Sequence, residues 1–134
     1  MKKNIYAWLS LFRLPNLPTA PGDALAGAAI CLSLSHPGAI SIEPDALLKL
    51  LAAGGVALLL YMAGLADNDI VGAEEDRTHA PKRPIPAGDI TIPQAQVARA
   101  VCLILAGVGS ALCHMPPAWW IVAVILVGGI FFYN

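Results

Sequence analysis

Residues 47–66 form an apolar run broken only by Lys49, and the run ends in Asp67-Asn68-Asp69, with Glu74-Glu75-Asp76 close behind. About 20 apolar residues are what a helix needs to cross a bilayer. Hydrocarbon offers the backbone no water, so such a run must satisfy its own hydrogen bonds as a helix. Three further runs approach the same length, at residues 17–34, 95–113 and 118–133. The chain is 57% hydrophobic and 13% charged, with mean hydropathy +0.69, a balance that argues against a soluble helical bundle. The expected architecture is all-α: a polytopic transmembrane helix bundle of four spans. Ile5, Trp8, Leu9 and Phe12 recur at helical spacing, offset from Lys2, Lys3 and Arg13. They predict a short interfacial helix ahead of the first span.

Punctuation fills in the connections. Pro15, Pro18 and Pro21 make the start of the first span irregular, and His36-Pro37-Gly38 ends it. An external connection holding Glu43 and Pro44 then reaches Asp45. Pro81, Pro84 and Pro86 stop the loop after the second span from continuing as helix, Gly88 permits a turn, and Pro93 suits the first turn of the third helix. His114-Met115-Pro116-Pro117 reads as a tight external turn before an aromatic belt at Trp119-Trp120. Gly107, Gly109 and Ala111 offer a small-residue surface for close helix packing. Cys31, Cys102 and Cys113 lie inside apolar runs and read as small buried residues, not as ligands or a disulfide.

Charge placement sets the orientation. Lys2, Lys3, Arg13, Arg77, Lys82, Arg83 and Arg99 all fall on one side of a four-span chain, and Lys49 alone falls on the other. The positive-inside bias puts the N-terminus and the loop after the second span in the cytoplasm, at a bacterial or archaeal cytoplasmic membrane. Arg99 is expected to snorkel to that interface. The net charge of -1 says nothing about nucleic acid, but no basic patch interleaves with aromatics, so no nucleic-acid partner is expected. The partners are membrane lipids and small molecules.

Five of the nine acidic residues crowd the end of the second span. At 100° per residue, Asn68, Asp69, Gly72, Glu75 and Asp76 share about a third of the helix circumference, while Asp67 and Glu74 point elsewhere. Grouped hard oxygen ligands suit Mg²⁺, which binds through one or two carboxylates and completes its shell with phosphate and water. Arg77, Lys82 and Arg83 follow at once and match the needs of a diphosphate. Asp23, an ionisable residue within the first span, is a further functional candidate: it would either line an acceptor pocket or sit in the interface beside the prolines.

In this order, Asn68-Asp69-x-x-Gly72-x-x-x-Asp76 followed by Arg83-Pro84-Ile85-Pro86-Ala87-Gly88, the chain resembles the UbiA family of intramembrane prenyltransferases. Its members carry N-D-x-x-D-x-x-x-D and an R-P-I-P-S-G-like loop. Their R-x-x-N element is matched by Arg13-Leu14-Pro15-Asn16. The resemblance implies Mg²⁺-dependent transfer of a prenyl group from a prenyl diphosphate to an aromatic or lipid acceptor. It also implies catalytic roles for Asn68, Asp69 and Asp76, and a substrate pocket reached by Arg13, Asn16 and Asp23. Two departures stand out. Gly72 replaces the middle acid, and Glu75 is the expected substitute ligand. The family's nine helices include a second acidic motif, whereas nothing after Asp89 is acidic here. Residues 1–134 therefore read as the N-terminal part of one domain, truncated before that motif and inactive alone. The alternative is a degenerate, non-catalytic member that serves as a membrane binding or scaffold protein.

Overall fold

The computed structural model describes residues 2–35 and 44–132, and every regular element among them is helical. Helix α1 (Lys2–Leu11) is followed by a 3₁₀ turn (Leu14–Asn16), α2 (Thr19–Ser35), α3 (Pro44–Val71), α4 (Ala73–His79), α5 (Ile92–Leu112) and α6 (Pro117–Phe132). Most of the expected external connection lies outside the described residues. Its last two positions belong instead to α3: Pro44 opens the helix, where a missing N–H costs nothing, and Asp45 sits in the first turn.

Among the described residues, only α3 and α5 are long and apolar enough to cross a membrane; α6 has 16 residues and α2 has 17. Of the most apolar windows of α3 and α5, only 17% and 22% are buried within the protein. The core helix of a soluble protein would be mostly covered, so these faces suit lipid. At 1.5 Å per residue, α3 is about 42 Å long, more than the hydrocarbon thickness of roughly 30 Å. Helix α3 is therefore longer than the apolar slab is thick.

Helix α3 is the centre of the bundle, packing most extensively on α5 and then on α2. The buried positions of α5 are Ala95, Cys102, Ala106 and Ser110, while Val97, Val101, Ile104, Leu105 and Leu112 face outward. The close-packing face is thus built on Ala106 and Ser110, and Ala111 of the expected small-residue surface is exposed. Small side chains let backbones approach where lipid competes equally well for large ones. Ser110 Oγ donates to the Ala106 carbonyl at 2.8 Å and accepts from Trp119 Nε1 at 3.0 Å. Trp119 therefore turns inward to tie α6 to α5, and of the expected aromatic belt only Trp120 is exposed.

Helix α5 starts on a capping box. Thr91 Oγ1 accepts from the Gln94 N–H, the Gln94 side chain accepts from the Thr91 N–H at 2.9 Å, and Pro93 occupies the first turn. The turn before it is compact. The Pro84 carbonyl accepts from the N–H groups of both Asp89 and Ile90, and Gly88 takes a φ of 76° that a side chain would resist. Ile85 and Ile90 are buried against Ala73 and Ala95, together with Ala7 and Leu11 of α1. Helix α1 thus docks through Ala7 and Leu11, with Trp8 and Phe12 stacked alongside, and leaves Ile5 and Leu9 exposed.

Arg99 does not snorkel outward. It donates to Asp67 across the α3–α5 interface and lies 5.0 Å from the centre of the Phe131 ring. Asp67 is 3% exposed at its side chain, so water cannot stabilise the charge and the guanidinium must. Replacing either partner by Leu strands a buried charge and should cost about 3 kcal/mol, while the double replacement should recover most of that loss. Unfolding of the four proteins in detergent micelles checks this, and strictly additive losses would show that the two residues act independently.

Candidate functional site

Helix α3 does not end at its acidic residues; it runs through Asp67, Asn68 and Asp69 to Val71. Gly72 interrupts the helical geometry, yet its N–H donates to the Asn68 carbonyl at 2.9 Å and its carbonyl accepts from the Asp76 N–H at 2.9 Å. The axis is carried across into α4. Asp69 and Asp76 are seven residues apart, nearly two turns, and so lie on one face. Both are buried, Asp69 at 4% exposure and Asp76 at 9%.

Two arginines from outside these helices meet that face. Arg83 Nη1 lies 2.5 Å from Asp76 Oδ2 and 3.7 Å from Asp69 Oδ1. Arg13 Nη2 lies 3.6 Å from the same Asp69 oxygen. Arg13 has φ 47° and ψ 56°, a left-handed conformation uncommon for a side-chain-bearing residue. That conformation joins α1 to the 3₁₀ turn and brings the guanidinium to the end of α3. Strain of this kind persists where surrounding structure over-determines it, often at functional sites. Arg83 is carried by the compact turn described above. The result is two buried carboxylates facing two guanidinium groups, balanced in charge. One atom stays unsatisfied: Asp69 Oδ1 is buried and receives no hydrogen bond, because both guanidinium contacts are at ion-pair distance only.

Of the residues singled out from the sequence, the structure brings together Asp69, Asp76, Arg13 and Arg83, with Asn68 half-buried beside them. It does not bring Glu75 to the pair. Glu75 is exposed on α4, and its backbone carbonyl lies 3.2 Å from His79 Nδ1. Arg77 is exposed and pairs with Glu74 at 2.6 Å. Lys82 is exposed and lines an open groove of about 450 Å³ with Ser10, His79 and Arg83. Asn16 is exposed, and its backbone carbonyl accepts from Thr19 Oγ1. Asp23 is exposed on α2, whose Pro21 and Leu25 pack beside Gly54 of α3. Gly54 precedes Asp69 by 15 residues, about 22 Å along the helix, so Asp23 is remote from the cluster.

Two features were not anticipated. Ser10 contributes to the groove beside Arg83, and Asp67 finds its partner 32 residues away in Arg99. The second carried a signal: a lone arginine in an apolar run needs a carboxylate at similar depth in another span.

Among the described residues no three His, Cys, Asp or Glu side chains converge as a metal group. The pair of carboxylates with an orphaned oxygen nevertheless fits Mg²⁺, which needs only one or two protein carboxylates when phosphate completes its shell. Apolar space lies alongside. A cavity of about 460 Å³ between α3, α5 and α6 is lined by Val56, Leu60, Leu103, Ala106 and Val127, among others. A second, of about 350 Å³, shares Leu60 and extends to Gly64 and Leu65, a few residues from the acids.

A model of the UbiA prenyltransferase family matches residues 24–134, a stretch that takes in the acidic helix end, the turn, α5 and α6. Arg13 and Asn16 lie outside the matched stretch, so Arg13 is tied to the site by its contact with Asp69. No curated protein and no solved structure matches the chain.

A Cβ added at Gly72 would lie 3.7 Å from Asp76 Oδ2 and 3.1 Å from the Asn68 carbonyl. Gly72→Asp therefore places a third carboxylate beside the pair at the cost of a small backbone adjustment. Mg²⁺ affinity measured by calorimetry should rise about tenfold, because affinity follows the charge count of the ligands. Unchanged affinity would mean that the cation is not held on this face.

Proposed function

The chain belongs to the UbiA prenyltransferase family, and on that footing we propose that Asp69, Asp76, Arg13 and Arg83 form the diphosphate-handling end of an intramembrane, Mg²⁺-dependent prenyltransferase. The donor is a prenyl diphosphate and the acceptor an electron-rich aromatic ring or a lipid. The observation that carries the reading is the buried carboxylate–arginine cluster with its unsatisfied Asp69 oxygen, set at the end of a membrane-length helix. Buried acids of this kind are expensive in a membrane protein and mark function more often than architecture.

Each group has a task in prenyl transfer. The allylic C–O bond breaks and diphosphate leaves with the electron pair; the acceptor then donates a pair to the allylic carbon and loses a proton. Asp69 and Asp76 would hold the metal. Bound there, Mg²⁺ supplies positive charge that stabilises the departing diphosphate. Arg83, Arg13 and Lys82 offer guanidinium and ammonium donors to the remaining phosphate oxygens. The apolar cavities along α3, α5 and α6 suit an isoprenoid chain and keep water from the allylic carbon. Glu75 and Arg77 stand outside the cluster and take no part in this scheme. The basic residues gathered at this end of the chain orient it toward the cytoplasm.

Gly72 favours a second reading, a family member that binds diphosphate without catalysing transfer, because it removes one acid from the site. A transfer assay in lipid vesicles separates the two. Prenyl transfer that EDTA abolishes, and that Asp69→Asn and Asp76→Asn each slow by about 100-fold or more, is the expected result. Full rates in both variants would remove the acids from the reaction.

A further inference from the structure

Arg83 is in an unusual position for a group that serves a phosphate. Its Nη1 is held at 2.5 Å by Asp76 and at 3.7 Å by Asp69, the carboxylates a metal would need. Asp69 Oδ1, at a carboxylate only 6% exposed, gains no hydrogen bond from this arrangement. The arginine therefore neutralises the pair without satisfying it, and a buried acceptor left in that state favours a better partner. Arg83 also has somewhere to go. Its side chain is 39% exposed and borders the open groove of about 450 Å³ that also holds Ser10, His79 and Lys82. Among the described residues Lys82 has no ion-pair or hydrogen-bond partner, which leaves that groove cationic. The backbone carrying Arg83 is fixed by the bonds to the Pro84 carbonyl and by buried Ile85 and Ile90. Only the side chain has to move.

We propose that Arg83 is a two-position side chain: it is the resident counterion of Asp69 and Asp76 in the ligand-free protein, and it yields them to a divalent cation by turning into the groove beside Lys82, where it meets phosphate. This inference rests on the function proposed above and adds a competition to it. A residue that only bound phosphate would leave metal affinity in the absence of phosphate unchanged. A residue that only braced the fold would lower that affinity when removed. A resident counterion does the opposite, since its removal frees the carboxylates.

Two measurements on the full chain in detergent test this, using Mg²⁺ alone and inorganic pyrophosphate alone as probes. By calorimetry, Arg83→Gln is expected to bind Mg²⁺ alone about tenfold more tightly than wild type and pyrophosphate alone more weakly, with unchanged helicity by circular dichroism. In the unmutated protein, the rate at which phenylglyoxal modifies Arg83, followed by mass spectrometry, should rise when Mg²⁺ is added and fall again when pyrophosphate joins it. The second measurement needs no variant to fold. Mg²⁺ affinity that is unchanged or weaker in Arg83→Gln, or a modification rate indifferent to Mg²⁺, overturns the two-position arginine while leaving the proposed function standing. Failure of the wild-type protein to bind either probe overturns both.

Discussion

Carboxylates at the end of a membrane-length helix have to be neutralised, and the way this chain does so decides where its other segments lie. Asp67, Asp69 and Asp76 are all buried, and each draws its counterion from a different part of the sequence. Asp67 takes Arg99 from α5, Asp69 takes Arg13 from the segment ahead of α2, and Asp76 takes Arg83 from the turn after α4. Leaving a buried ion without its partner costs several kcal/mol, more than most single apolar contacts between helices contribute. The acidic end of α3 is therefore an organising point. It gathers α1, α4, the turn and α5 around the same few carboxylates that the functional reading requires.

Apolar burial has a different role here from the one it has in a soluble bundle. Leu, Ile and Val gain little by leaving lipid for protein, so most stay outside on α5, whose buried positions are Ala95, Cys102, Ala106 and Ser110, with Ala106 packed against Val56 and Leu60 of α3. The α1–α4–turn layer is packed differently, with Leu11, Ile85 and Ile90 buried together. That layer surrounds the acidic end of α3, beyond its apolar run, where access to water would reward the covering of apolar surface. The site thus lies between two packing regimes. Small-residue contacts hold the spans below it, and a conventional core holds the turn that carries Arg83.

How much of this was legible in the sequence follows from the same physics. The long helix and its acidic end could be read from the run 47–66 and the residues after it, because hydrocarbon permits no other conformation. The start of α5 was marked by Pro93, and Gly88 marked the turn. Helical spacing at α1 marked Ile5, Trp8, Leu9 and Phe12 as an interfacial apolar face, but it gave no sign that Ala7 and Leu11 are the residues buried against protein. An interfacial helix can turn large apolar residues to lipid and small ones to protein, so size and periodicity stop reporting which face is inside. Wheel geometry put Asp69 and Asp76 within about 20° of each other, but a face drawn a third of the circumference wide also admitted Glu75, which lies about 100° from Asp76 and is exposed on α4. The Asp67–Arg99 pair and the inward turn of Trp119 depend on residues from separate elements, which no local pattern encodes.

Charge balance links the fold to the chemistry. Two carboxylates and two guanidinium groups make a neutral cluster, and a neutral cluster is what a poorly solvated site tolerates. A divalent cation added to it leaves an excess of positive charge unless an anion enters as well or an arginine departs. A diphosphate supplies the anion, and the groove beside Lys82 gives Arg83 a place to follow it. On the proposed reading, cation and diphosphate would thereby be coupled through the electrostatics of the cluster, before any direct contact between them is considered. Gly72 fits the same account: one fewer acid leaves the cluster neutral with two arginines, where a third carboxylate would leave it negative and hungry for metal alone.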